Sequence, residues 1–430
     1  METKKLALKI STNRLAVIAS AIWAFTALNP FYLWLGVASI GYFLVFVFVF
    51  TMTMFLLSNN SLVYSRERVF FAITLSFYIL ILTLHGGLIR NMVMFFLHSP
   101  LLMIAFFPNK ILYKTYELFR KIIIFFSIGA ILVFIITFLG FYEYLPYFEV
   151  EGISNVHRTS GVNLHVHGFI VTMFETGKAT YILRACGPLQ EPGHFGIVIG
   201  IVMFIDRLLA RKINVILLFA GFLTFSPAFF IILFIAEAYQ VLMNRKIKKE
   251  RVYGKNRKRN IIFISLILLF TTSVILFNQG LRSRIWYMVY ERNFQKVITA
   301  VQSGESIEQG LNERVNNTGI VYYDQFRKSS KIWLGDENWE KGGVVLSDYR
   351  GMVATIGIVG LFLSILTWFA VFLRATLKQI AFMLCIVIFI YLHRAWMFLS
   401  PYILFLFFVG ISSYIFKFHE KENVSMQKSS

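Results

Sequence analysis

The stretch FYLWLGVASIGYFLVFVFVFTMTMFLL, residues 31–57, contains 27 consecutive residues without a charged side chain. A helix crosses the hydrocarbon core of a bilayer in about 20 residues. Lipid offers no hydrogen-bond partner to backbone N–H and C=O groups, so an apolar segment of this length is expected to be helical there. The stretch therefore predicts a transmembrane helix.

Comparable apolar runs recur along the whole chain, which is 57% hydrophobic and only 15% charged. Soluble domains carry about 25% charged residues. The sequence thus predicts an all-α, polytopic integral membrane protein with one transmembrane domain over residues 1–430. About twelve transmembrane helices are predicted, at residues 15–29, 31–57, 69–84, 92–107, 122–141, 194–205, 213–225, 227–243, 261–277, 352–373, 380–391 and 397–416.

The net charge of +20 raises the question of nucleic-acid binding, but its distribution points to a membrane surface instead. Basic residues sit in short blocks between the apolar runs, and residues 244–260, NRKIKKERVYGKNRKRN, hold nine of them. Such blocks stay on the cytoplasmic side. With both termini cytoplasmic, 27 of the 42 Lys and Arg residues fall in cytoplasmic segments. We therefore expect both ends and the 244–260 loop inside, with the lipid bilayer as partner and no nucleic acid.

Two long segments then lie on the outer face, at residues 142–193 and 278–351. Loops longer than about 15 residues are usually functional or disordered. Both segments mix aromatic and apolar residues with charges, as in VYYDQF (321–326) and KIWLGDENW (331–339). We expect them to fold onto the membrane domain as short helices. The two cysteines, Cys186 in the first loop and Cys385 in a span, are not expected to pair.

The segment RACGPLQEPGHFG, residues 184–196, ends the first outer loop and opens a span. Pro192 suits the first turn of a helix, with Glu191 at the capping position before it. The first N–H groups of a helix attract phosphate when they are unpaired. Arg184 could bind a phosphate or carboxylate with its forked donors, and His194 could move a proton. A capped helix entry with an Arg–Glu pair explains the same residues without a ligand.

The other histidines are weak candidates for metal binding. His165 and His167 are spaced as two metal ligands could be, but no third ligand stands beside them in sequence. The sequence contains no Gly-rich phosphate loop, zinc pattern or nucleophile elbow. We therefore expect neither a metal nor a cofactor, and no nucleotide-sugar donor.

The same residues carry a resemblance to a known family. RACGPLQEPGHFG resembles the Arg-x-x-Gly-x-x-x-Glu-Pro-x-x-x-Gly signature of O-antigen and exopolysaccharide repeat-unit polymerases, within the O-antigen ligase/polymerase superfamily. LLFAGFLTFSPAFF, residues 217–230, is similar to the family's Leu-Thr-x-Ser segment, although Pro227 stands where an arginine is common. A large late outer loop follows, and then a polar residue before a Gly-rich span, here SDYRGMVATIGIVGLF (347–362).

The resemblance implies a GT-C-like glycosyltransferase in the inner (cytoplasmic) membrane of a bacterium. Such an enzyme acts at the periplasmic face, which makes 142–193 and 278–351 periplasmic loops. It transfers the growing glycan from an undecaprenyl diphosphate donor to one undecaprenyl-diphosphate-linked repeat unit. A polysaccharide chain-length regulator is left open as a further partner.

Cations and helix-end amides can stabilise a departing diphosphate, and a general base helps the acceptor hydroxyl to attack. Candidate bases, in order of preference, are Glu191, Asp348 and His194. Candidate diphosphate ligands are Arg184 and Arg314 (in NERVNN, 312–317), followed by Arg282 and Arg284.

Three other functions fit parts of the pattern. A transporter or flippase for lipid-linked oligosaccharide would have the same number of spans, but it usually carries charges near the middle of the membrane. An O-antigen ligase would carry a histidine in the late outer loop, and residues 278–351 contain none. A membrane scaffold without activity remains the third alternative.

Overall fold

A computed structural model gives the architecture of the chain. It describes residues 2–33, 38–84, 88–139, 141, 144–151, 162–175, 182–247, 317–336, 339, 344, 346, 349–394, 397 and 400–427. The predicted span at 261–277 lies outside the described residues. Every other predicted span coincides largely with a helix.

The described part of the chain contains twelve α-helices and four strands. The helices are α1 (Glu2–Thr26), α2 (Ala38–Ser58), α3 (Arg66–Leu84), α4 (Leu88–Ile104), α5 (Asn109–Phe138), α6 (Pro192–Leu208), α7 (Val215–Leu223), α8 (Pro227–Ile247), α9 (Asn317–Phe326), α10 (Tyr349–Phe372), α11 (Leu377–His393) and α12 (Pro401–Gln427). The strands are β1 (Phe148–Glu151), β2 (Val162–His167), β3 (Ile170–Glu175) and β4 (Ile182–Gly187).

Among the described residues, four helices are long and apolar enough to cross a bilayer: α2, α3, α5 and α10. Each presents large apolar side chains outward: Leu44 is 60% exposed, Phe77 54%, Phe125 66% and Phe362 59%. Soluble monomers rarely expose apolar surface so continuously. The chain is therefore a membrane-embedded helical protein.

Two helices form the centre of the bundle. Every residue of α6 is buried except Arg207 near its end, and α12 is buried over 401–413. A helix that is apolar on all faces belongs inside a bundle of other helices. Because α6 follows RACGPLQEPGHFG, the segment singled out in the sequence enters the centre of the protein.

One end of the bundle, termed the basic end, is held by arginines and lysines at the helix termini. Arg120 of α5 pairs with Asp206 of α6 at 2.7 Å, and Arg207 forks onto Glu237 of α8 at 2.7 and 2.8 Å. Lys417 of α12 donates to the carbonyl of Leu209. These pairs bring α5, α8 and α12 to the end of α6, and the bonds of Arg68 and Arg374 to Asn109 add the start of α3 and the end of α10 to the same end of the bundle.

The opposite end, termed the sheet end, carries the four strands. They form one antiparallel sheet in the order β1-β2-β3-β4, with Leu164, Val166 and Val171 in a small core together with Phe31 and Cys186. In the described residues of the first outer loop, strands stand where short helices were predicted, and for that part the prediction was wrong. The alternation in VNLHVH and IVTMFE, joined by a turn at Gly168 (φ 61°), favours a β-hairpin.

The sheet reaches along α5 towards the middle of the bundle. Ile170 packs so closely on Gly129 that a Cβ there would lie 2.8 Å from it. Gly129 precedes the end of α5 at Phe138 by nine residues, which is about 14 Å along a helix. The hairpin thus lies beside the last third of α5, and Phe169 at its tip is 66% exposed.

Residues 213–243 form two helices rather than one long kinked helix. Gly221 of α7 contacts the ring of Phe229 of α8, two positions that would lie about 12 Å apart in a continuous helix. The reversal occurs at Phe225, whose φ is 46°. With nine residues, α7 is too short to cross a bilayer alone. The turn Thr224–Ser226 consequently lies inside the bundle near the sheet end, beside Gly196 of α6.

The described part of the second outer loop does contain short helices, as predicted. Besides α9, a 3-10 turn spans Ser330–Ile332. The following segment packs into a break in α10 at Gly357, where φ is 66°. There the amide of Val359 donates to the carbonyl of Trp333 at 3.0 Å.

Candidate functional site

The junction between β4 and α6 builds the site. Gly187 ends β4 with φ 59°, and a Cβ there would lie 2.6 Å from the Phe195 ring. Glu191 is the N-cap of α6 and Pro192 is its first residue, as predicted. The amides of His194 and Phe195 both bond back to the Glu191 carbonyl. Among the described residues this leaves only the Gly193 amide of the first turn without an acceptor, fewer than the sequence suggested.

Arg184 is buried and joins two of the segments that carry the family resemblance. Its Nε donates to the Thr224 carbonyl at 3.0 Å, and its Nη2 donates to the Phe225 carbonyl at 3.3 Å. These carbonyls lie at the C-terminal end of α7, where a cation is favoured. Arg184 therefore holds the α7–α8 turn against β4 with two of its five N–H donors. Its predicted contact with a diphosphate stays a prediction.

Arg394, which sequence reasoning did not single out, lies at the N-terminal end of α6, termed the mouth of α6. It follows α11 and pairs through Nη1 with the Glu191 carboxylate. Its guanidinium covers Gly193, since a Cβ there would lie 2.7 Å from Nη2 and 3.2 Å from Cζ. The side chains of Arg394 and Glu191 are 24% and 25% exposed. The sequence signal was a single arginine between two apolar spans, at residues 380–391 and 397–416.

His194 points into the bundle rather than into the mouth. It is 8% exposed, and its ring centroid lies 5.2 Å from that of Tyr402 on α12. Of the two described candidate bases, Glu191 is the more exposed, with 25% of its side chain accessible. Asp348, Arg314, Arg282 and Arg284 lie outside the described residues, so their roles stay predictions.

His165 and His167 lie next to each other on β2, with ring centroids 6.5 Å apart. The ring of His165 stacks on Tyr147 at 4.5 Å. Burial and the neighbouring His165 hold the pKa of His167 below its ordinary value of 6.5. In the part of the chain that the structure describes, no three His, Cys, Asp or Glu side chains gather as metal ligands would.

The mouth of α6 thus combines three groups within one small surface: a guanidinium, a carboxylate and a backbone amide without an acceptor. A guanidinium binds phosphate or carboxylate oxygens with two parallel hydrogen bonds. A carboxylate within reach of a hydroxyl can accept its proton. The arrangement can therefore hold an anion and serve as a base at adjacent positions.

No family model, no curated protein and no solved structure matches this chain. The assignment of a function depends on the residues and their geometry.

Proposed function

We propose that the protein is a glycosyltransferase that polymerises repeat units of a bacterial surface polysaccharide, such as O-antigen. In this proposal it moves the growing glycan from undecaprenyl diphosphate to a lipid-linked repeat unit at the periplasmic face of the inner membrane. The observation that carries the proposal is the Arg394–Glu191 pair, which lies on Gly193 within the segment that resembles the family signature.

The contact between two separate motifs supports this choice. Arg184 and Thr224 are 40 residues apart, yet the guanidinium of the first signature binds the carbonyls of the Leu-Thr-x-Ser-like segment. The two segments that carry the resemblance therefore lie against each other in the fold. Their contact favours a common site built by both.

The proposed orientation of the protein in the membrane is inferred from the charge distribution. The basic end has Arg120, Arg207 and Arg211 at its helix termini, and such an end faces the cytoplasm under the positive-inside rule. The sheet end would then face the periplasm, where lipid-linked repeat units await polymerisation. The hairpin alongside α5 brings the sheet to the level of the outer leaflet, within reach of a polyprenyl chain.

The pair suggests a mechanism in which the diphosphate of the donor replaces the Glu191 carboxylate as the partner of Arg394. Arg394 rests on Glu191; a lipid diphosphate carries more negative charge and draws the guanidinium away. Glu191 is then free to accept the proton of the acceptor hydroxyl. The hydroxyl oxygen bonds to the anomeric carbon, while the bond from that carbon to the diphosphate oxygen breaks and leaves its electron pair on the diphosphate. Arg394 and the Gly193 amide stabilise the new charge.

A flippase and an O-antigen ligase are the two alternatives that the test must distinguish from a polymerase. A flippase would need polar groups near the middle of the membrane, whereas the described ion pairs of the spans, such as Arg120–Asp206 and Arg207–Glu237, lie at the basic end. A ligase would join finished glycan to lipid A core rather than extend it.

The test is a deletion strain complemented with variants, read on a lipopolysaccharide gel. The wild-type gene should restore a long ladder, whereas Glu191→Gln and Arg394→Gln should leave one repeat unit on the core. Arg207→Gln is the matched control, because it removes an Arg–Glu pair at the opposite end of the same helix. It should give the long ladder. Bare core in the deletion strain would contradict the proposal and favour a ligase or a flippase.

A further inference from the structure

A second cationic cluster lies at the basic end, opposite the end that carries Arg394, and the function proposed above does not use it. Its members are Arg68 of α3, Asn109 at the start of α5 and Arg374 just after α10. Both arginines donate to the same acceptor, the Oδ1 atom of Asn109, at 2.6 and 3.2 Å. Two guanidinium groups that share one neutral acceptor must lie close together in spite of their like charge.

Arg68 is fixed in place and almost fully buried. It is 1% exposed and donates to the carbonyls of Ala105 and Phe107 at the end of α4. Its Nε is buried without a hydrogen-bond partner in the described residues. Arg374 is half-buried and donates to the Ser412 hydroxyl at 3.0 Å. Of its five N–H donors, three remain for a ligand.

No carboxylate among the described residues is hydrogen-bonded to the two arginines of the cluster. Both guanidinium groups donate instead to neutral acceptors, namely backbone carbonyls, Asn109 and Ser412. Glu67 lies near enough to act electrostatically on Arg374 but does not pair with it. Arg66, Lys110 and Lys378 are exposed around the cluster and add further positive charge.

The start of α5 supplies donors that suit an oxyanion. Its N-cap is Pro108, which offers no side-chain acceptor. The amides of Asn109 and Lys110 have no acceptor among the described residues, while the Arg68 guanidinium is directed at this helix start by its bond to Asn109. A long helix with free first-turn amides attracts phosphate. Here Arg68 and Arg374 lie at the same helix start and add their positive charge to that attraction.

We propose that this cluster binds a phosphate group, and that the phosphate belongs to the headgroup of an anionic phospholipid in the adjacent leaflet. Lipid is favoured over free phosphate because Leu373 and Leu377, on either side of Arg374, are 45% and 85% exposed. Val69, next to Arg68, is also exposed. Acyl chains would cover these side chains while the phosphate lies on Arg374 and the start of α5.

Thermal unfolding of the full chain in detergent tests the proposal. Phosphatidylglycerol should raise the unfolding midpoint of the wild type by at least ~2 °C, as expected of a ligand that binds the folded state alone. Phosphatidylcholine at the same concentration should not. Arg374→Gln should lose most of the shift. Lys110→Gln, which changes an exposed side chain and cannot disturb packing, should reduce it.

Controls separate the sources of the phosphate. Arg90→Gln removes the same charge from the opposite end of α4 and should keep the full shift. An Arg374-dependent shift with inorganic phosphate alone would support the site and identify a free anion as its occupant. Equal shifts in wild type, Arg374→Gln and Lys110→Gln would overturn the proposal. Equal shifts with phosphatidylcholine and phosphatidylglycerol would overturn it as well.

Discussion

At the scale of single residues, the structure gives Arg184 a structural contact and places Arg394, which the sequence did not single out, at the candidate site. Arg184 belongs to the recognised signature, but two of its donors hold the α7–α8 turn. Arg394 lies outside that signature, but its guanidinium covers Gly193 and pairs with Glu191. Glu191 and Arg394 are separated by 203 positions, and no periodicity or spacing in one sequence reveals such a contact.

Arg184→Ala should impair both the fold and polymerisation. It leaves two carbonyls of a buried turn without their charged donor, and hydrogen bonds to charged groups contribute about 1.5–3 kcal/mol each. We expect a loss of about 3 kcal/mol in stability, measured as a lower unfolding midpoint in detergent, and a single repeat unit on the lipopolysaccharide gel. Full-length glycan from this variant would remove Arg184 from the site.

Gly187, a fixed position of the signature, and Gly193, a variable one, should respond differently to alanine. At Gly187 the added Cβ meets the Phe195 ring at φ 59°, and left-handed backbone costs roughly 1–2 kcal/mol for an L-residue. At Gly193 the Cβ meets the flexible end of Arg394. Gly187→Ala should therefore lower the unfolding midpoint, whereas Gly193→Ala should keep it and shorten the glycan ladder. Equal midpoints for the two variants, with equal ladders, would contradict this reading.

At the scale of elements, the apolar runs predicted the helices well, because helix formation in a membrane depends on length and polarity alone. Pro227 and the preceding turn also marked the break between α7 and α8. The part of the first outer loop that the structure describes was misread as short helices, because its mixed composition was weighed above its alternation. VNLHVH and IVTMFE have the two-residue period of strands, with valine, isoleucine and threonine among them.

The sheet should be less stable in acid because of His167. Burial, together with His165, lowers the pKa of His167 in the folded protein. The unfolded chain then binds a proton more readily as pH falls below about 6.5, so folding stability is fully present above that pH and declines below it. Between pH 7.5 and 5.5 the unfolding midpoint should fall more for the wild type than for His167→Gln. An identical fall in both would contradict this role.

At the scale of the whole molecule, the two ends differ in chemistry. The basic end is held by ion pairs such as Arg120–Asp206, while the sheet end carries strands and the Arg394–Glu191 pair. Composition and the charge blocks predicted this polarity. The candidate site residues Asp348 and Arg314 lie outside the described part of the chain, so their place in the site stays a prediction from the sequence.

Orientation in the membrane can be measured with a thiol reagent that does not cross lipid. In a Cys385→Ala background, Tyr144→Cys at the sheet end should react in spheroplasts, because Tyr144 is 82% exposed and this end is expected outside. Lys110→Cys at the basic end should react only after permeabilisation. Cys186 is buried and should stay silent. The reverse pattern would place the site in the cytoplasm.

The most direct measurement uses the purified protein and a repeat unit linked to undecaprenyl diphosphate, followed by mass spectrometry. The wild type should yield lipid-linked glycan two repeats long together with an equal amount of undecaprenyl diphosphate, and Glu191→Gln should yield neither. Unchanged substrate after incubation with correctly folded wild type would contradict the account, as would two-repeat product from Glu191→Gln at the wild-type rate.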